Sequence, residues 1–170
     1  MPFALRLLFW ISLLGAVACG GAHLASFAGY TPLSLVALLG LVLLLFIVWP
    51  LVIWRWRRVP RRNLVSEIFG NIPRWLKFTA VALLVYAFAN YFGCRALNAW
   101  GDPVKLDDGR LALQAKAKIV RVLTPAEFRA AQIVQVRMLT GELAVFFALA
   151  AVMAHAVWIK TGPAMANAKV

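Results

Sequence analysis

The sequence predicts an all-α membrane protein. It reads as a four-transmembrane-helix bundle, 1–170 as a single membrane domain, with a short β-hairpin plus a helix in the outer loop between spans three and four. Three observations predict it. Apolar residues fill 64% of the 170 positions and charged residues 14%, against about 45–50% and roughly 25% in soluble domains. The apolar residues gather in four runs, each near the roughly 20 residues that a helix needs to cross about 30 Å of hydrocarbon. Almost all the charges lie between those runs, within a mean hydropathy of +0.83. This composition excludes a water-soluble globule and a disordered chain.

The spans are placed at about 4–25, 33–54, 75–94 and 141–160. The first carries only Arg6 near its start. Ala16-Val17-Ala18-Cys19 resembles a poor lipobox, but a basic region of one arginine is thin for a signal peptide, and an uncleaved span is expected. The second holds no charge, and the third holds Lys77 near its start. The fourth is the shortest. It is bounded by Glu142 and Lys160 and draws on Thr140 and Gly141 for length. Tryptophans mark the boundaries: Trp49, Trp54, Trp56 and Trp75 flank the second connection, Trp100 lies just past span three, and Trp158 lies near the end of span four. An indole suits that layer because its ring is apolar while its N–H needs a partner.

Basic residues set the orientation. The connection 55–74 carries Arg55, Arg57, Arg58, Arg61, Arg62 and Arg74, with Glu67 its only acid. Such a loop is placed in the cytoplasm, and an even number of spans puts both termini there too, in a bacterial inner membrane. Those six arginines form the predicted patch for anionic lipid headgroups, each attracted by about 1 kcal/mol near the surface. Within it, 63–69 sets Leu64, Val65, Ile68 and Phe69 on one side of a short interfacial helix. The formal charge of +12 follows from this topology, and no nucleic acid partner is expected.

The link 26–32 is short and uncharged, hence a tight outer turn. The outer connection 95–139 has structure of its own. Gly101-Asp102-Pro103 and Asp107-Asp108-Gly109 signal turns. Residues 110–115 alternate, with Leu111 and Leu113 on one side, and 118–123 are rich in β-branched residues. A lone hairpin is marginal in water, so this one must pack on something. Thr124-Pro125-Ala126-Glu127 is a capping box with proline at the first helical position. The helix it starts runs to about Met138 and then either kinks at Thr140-Gly141 or continues into span four.

Chemistry is sparse. No carboxylate falls inside the predicted spans, since Glu142 is placed at the rim, and this argues against an ion-driven exporter. His23 and His155 are placed about 20 Å apart in depth, too far for one bis-histidine haem. Cys19 and His23 share a helix face at i, i+4, and Cys94 ends span three at a similar depth. Together the three are the candidate ligands of an outer-face copper or zinc site. The competing reading is packing, because Cys19 sits among Gly20, Gly21 and alanines. Two cysteines give neither a disulfide scaffold nor a thiol oxidase with two cysteine pairs. No nucleophile-elbow, zincin or Walker sequence is present, so no catalytic residue and no cofactor is predicted. Small residues in span one (Gly15, Ala18, Ala22) and span four (Ala144, Ala148, Ala151) permit close helix contacts.

The stretch Arg110-Leu111-Ala112-Leu113-Gln114, Lys118-Ile119-Val120-Arg121, Thr124-Pro125-Ala126-Glu127-Phe128 and Val136-Arg137, ahead of a final span, resembles a group of bacterial four-span inner-membrane proteins. In those a strand pair and a capped helix precede the last span, which often opens with Ser-Gly-His-Trp. This chain has Thr140-Gly141-Glu142-Leu143 at that point, so a role tied to the histidine does not carry over. The resemblance implies topology and no activity. The expected function is a non-catalytic membrane subunit, accessory to a larger complex or part of a homo-oligomer. A membrane redox or metal-binding protein and a transporter component are the alternatives.

Overall fold

The computed structural model describes residues 3–56 and 73–167. Among them, four helices are long and apolar enough to cross a membrane. They are α1 (Phe3–Phe27), α2 (Leu35–Trp56), α3 (Arg74–Leu97) and α4 (Pro125–Asn167), and a small sheet lies between α3 and α4. By the length and composition of these helices the chain is a multi-pass membrane protein. Of the basic patch, Arg57, Arg58, Arg61 and Arg62 lie outside the described residues, as do the Arg55 side chain and the interfacial helix expected at 63–69; Arg74 opens α3.

The bundle is organised on α4, which packs against each of the other three helices. Its longest interface is with α1, and small residues make it close. A Cβ on Gly15 would stand 2.8 Å from the Phe147 ring, so only glycine lets that ring lie on the α1 backbone. Toward one end, Leu8 of α1, Val48 and Val52 of α2 and Ala150 of α4 form one buried cluster. Next along the bundle, Cys19, Leu38, Leu143 and Phe147 form another. The outward faces carry large apolar side chains such as Leu14, Phe46 and Phe88, as lipid requires.

Of the alternatives at Thr140-Gly141, continuation into span four is the one found. The capped helix and span four are one α-helix of 43 residues, about 65 Å long at 1.5 Å per residue. Thr140 is compatible with this because its hydroxyl donates back to the Val136 carbonyl at 2.7 Å rather than breaking the ladder. Glu142 lies within this one helix, with its Oε1 buried. Phe147 lies level with Gly15, the central residue of α1. Glu142, five residues away, is then about 8 Å along the axis from the middle of α1.

The segment expected as a hairpin is a three-stranded antiparallel sheet in the order β1 (Asp102–Lys105), β2 (Leu111–Ala115) and β3 (Lys118–Leu123). Asp102 and Pro103, expected in a turn, begin an edge strand, with Pro103 opposite Leu113. Proline is tolerated there because an edge strand leaves half its N–H groups outside the ladder. Asp107-Asp108-Gly109 forms the predicted turn, with Gly109 at φ 85° and Arg110 bonded to Asp108 at 2.7 Å. The β2–β3 register slips at Leu113/Gln114, leaving Val120 as an extra residue. This bulge, flanked by Lys118 and Arg121, blunts the second edge as Pro103 blunts the first. The sheet packs as expected of a marginal hairpin: Leu111, Leu113 and Leu123 bury against Phe128 and Ala131 of α4. The capping box is present, with Thr124 N–H donating to Glu127 Oε2 at 2.8 Å and Glu127 N–H to Thr124 Oγ1 at 3.3 Å.

Candidate functional site

In the half of the bundle nearer the sheet, polar side chains of three helices meet. α1 supplies His23 and Ser26, which are buried although polar. α3 supplies Tyr86, Asn90 and Cys94 at i, i+4 and i+8, one face of a helix otherwise dominated by apolar residues. α4 supplies Arg137, Thr140, Gly141 and Glu142. Gly141 makes the meeting possible. A Cβ there would stand 2.5 Å from Asn90 Nδ2 and 2.9 Å from His23 Cε1.

The hydrogen bonds fix the His23 tautomer. Nδ1 lies 2.9 Å from the Arg137 carbonyl oxygen. A carbonyl can only accept, so Nδ1 carries the hydrogen. In the neutral ring Nε2 is then an acceptor, and it receives the phenolic hydrogen of Tyr86. The same ring is edge-on to Phe27, at 5.2 Å between centroids. Arg137 reaches back to α1, donating to the Ser26 carbonyl at 2.9 Å and lying 4.2 Å over the Phe27 ring. Asn90 donates to the Met138 carbonyl at 3.2 Å and accepts from the Cys94 thiol at 3.5 Å. Two turns beyond Asn90, Asn98 donates to the Ala131 carbonyl at 3.0 Å. Four donors from two flanking helices and α4 itself thus end on main-chain or side-chain oxygens of a neighbouring helix.

Glu142 is the exception. The Asn90 amide faces its carboxyl, yet Oε1 is buried without a hydrogen-bond partner. Among the described residues it takes part in no ion pair; those present are Arg95–Asp102, Arg110–Asp108 and Arg121–Glu127.

The expected metal ligands are not assembled. Cys19 faces Leu38, Leu143 and Phe147 in an apolar cluster, both His23 nitrogens are engaged, and the Cys94 sulfur turns to Asn90. No group of three His, Cys, Asp or Glu able to hold a metal occurs among the described residues. The i, i+4 spacing was real, but a helix face shared by Cys19 and His23 points one residue at α2 and the other at α3. His155 sits beside Phe9, at 6.0 Å between centroids. It is fourteen residues from Gly141 as Phe9 is from His23, about 21 Å along the bundle, in line with the expected separation.

Tyr86, Asn90, Ser26 and Arg137 were not singled out from the sequence. For Tyr86 and Asn90 the signal was a polar residue at every fourth position of α3, continued by Cys94; for Ser26 and Arg137 no local pattern announces the contact. A separate groove of about 390 Å³ beside Pro50, lined by Leu45, Phe46, Trp49, Ile53 and Phe146, is apolar. No protein-family model, curated protein or solved structure matches this chain.

Proposed function

We propose that this chain is a non-catalytic integral membrane subunit, an accessory or structural part of a larger bacterial inner-membrane complex or of a homo-oligomer. In this reading both termini face the cytoplasm and the arginines at 55, 57, 58, 61, 62 and 74 lie against anionic headgroups. The observation that carries it is the engagement of His23: with one nitrogen on the Arg137 carbonyl and the other on Tyr86, the imidazole braces three helices and presents no free nitrogen to a substrate. Interhelical hydrogen bonds of this kind hold a rigid scaffold in lipid. Purification from native membranes in mild detergent tests the reading. Stoichiometric membrane partners, or a defined oligomer, are expected by mass spectrometry; a lone monomer overturns it. A transporter component is the second reading, favoured by the unpartnered carboxyl oxygen of Glu142 inside the bundle.

A further inference from the structure

Glu142 has a carboxyl oxygen buried in the bundle, and among the described residues no cation pairs with it. On α1, His23 packs at the neighbouring Gly141 with both its nitrogens engaged elsewhere. From α3 Glu142 is approached by Tyr86, Asn90 and Cys94. On α4, Arg137 is five positions away, roughly 140° around the helix, with its guanidinium on Ser26 and Phe27. The described part of α2 inside the bundle, Val36–Trp54, has no ionisable side chain. An ionised carboxylate in such a place, with one oxygen lacking any donor, is far costlier than the neutral acid, and a group so placed takes up a proton instead.

We propose that Glu142 is an intramembrane proton-binding site, a carboxyl that carries an exchangeable proton at neutral pH with the Asn90 amide as its fixed neighbour. The ligand is the proton rather than a metal cation, because the nearby oxygens are turned elsewhere. Asn90 Oδ1 accepts from Cys94, the Met138 carbonyl accepts from Asn90, and the Tyr86 hydroxyl is directed to His23. A sodium-sized ion needs several such oxygens at once. Protonation of Glu142 is a property of this chain alone, and it holds whether or not the subunit reading does.

The experiment is infrared spectroscopy of the full-length protein in liposomes, with glutamate labelled by ¹³C at the side-chain carboxyl. At neutral pH a protonated-carboxyl band that shifts with the label is expected. It should disappear on alkalinisation, be lost in Glu142→Gln and be indifferent to sodium at fixed pH. Should Glu142→Gln not fold, persistence of the band in a Glu67→Gln, Glu127→Gln double variant makes the same assignment. The proposal is overturned if no labelled carboxyl is protonated at neutral pH, if the band survives Glu142→Gln, if the double variant removes it, or if sodium displaces it.

Discussion

The His23 ring fills the space that a side chain at position 141 would need: a Cβ on Gly141 would stand 2.9 Å from its Cε1 and 3.0 Å from its Nδ1. The chain holds several glycines in helices, and only the packing tells them apart. At Gly20 and Gly21 an added Cβ meets nothing within 4 Å. Gly141→Ala is therefore expected to destabilise the bundle by about 1–3 kcal/mol, the range for overpacking. Gly21→Ala should be neutral or stabilising by up to about 1 kcal/mol through helix propensity. Unfolding of the two variants in mixed micelles checks the contrast, and equal effects would refute the packing account.

The Tyr86–His23 hydrogen bond makes a second prediction. Removing the phenolic hydroxyl leaves Nε2 without its donor. In a double-mutant cycle between Tyr86→Phe and His23→Ala, a coupling of about 0.6–1.7 kcal/mol is expected, the span seen for interhelical hydrogen bonds in membranes. The tautomer is checked separately. ¹⁵N NMR of labelled histidine should find His23 protonated at Nδ1 in the wild type. A ring protonated at Nε2 alone would contradict the bond to the Arg137 carbonyl.

Where local chemistry decides the structure, the sequence was readable. The Thr124–Glu127 capping box, the Asp107–Gly109 turn and the apolar side of β2 each depend on residues a few positions apart, and each is found where expected. The features that were not readable depend on distant partners. Pro103 is a strand residue only because β2 runs beside it. Glu142 lies inside the bundle only because Phe147 settles on Gly15. The cluster around His23 joins residues 63 and 114 positions apart, and no periodicity within one helix announces such a pairing.

Two helix ends solve the same problem with different residues. After α1, Tyr30 N–H donates to the Ala25 carbonyl at 3.1 Å and Gly29 N–H to Ser26 at 3.2 Å, with Gly29 at φ 75°. After α3, Trp100 N–H donates to Arg95 at 2.7 Å and Ala99 N–H to Ala96 at 3.0 Å, but the left-handed position is Ala99, at φ 46°. This is the Schellman motif, and a Cβ in that conformation costs about 1–2 kcal/mol. Ala99→Gly should recover roughly 1 kcal/mol of stability, less the added freedom of the unfolded chain. Gly29→Ala should lose a similar amount. Opposite signs in thermal unfolding are the expected result; a destabilising Ala99→Gly would mean that its methyl group packs on something essential.

The three-stranded sheet and its junction with α4 should loosen in acid before the bundle does. The Thr124 N–H and hydroxyl hold the Glu127 carboxyl below its ordinary value of 4.5. The Arg110 backbone N–H, followed by its guanidinium, holds Asp108 below 3.8. Both groups are more acidic folded than unfolded. Their contribution is therefore complete above those ordinary values and fades as pH falls through the lower folded ones. Both side chains are about half exposed, 49% for Asp108 and 43% for Glu127, so the effect is small and screened by salt. Hydrogen exchange should show amides at the start of α4 and in the Asp107–Arg110 turn losing protection below about pH 4, while those around Phe147 hold. In Glu127→Gln the change at the start of α4 should vanish and that in the turn remain. Simultaneous loss of protection throughout the chain would show instead that the sheet and the bundle unfold as one unit.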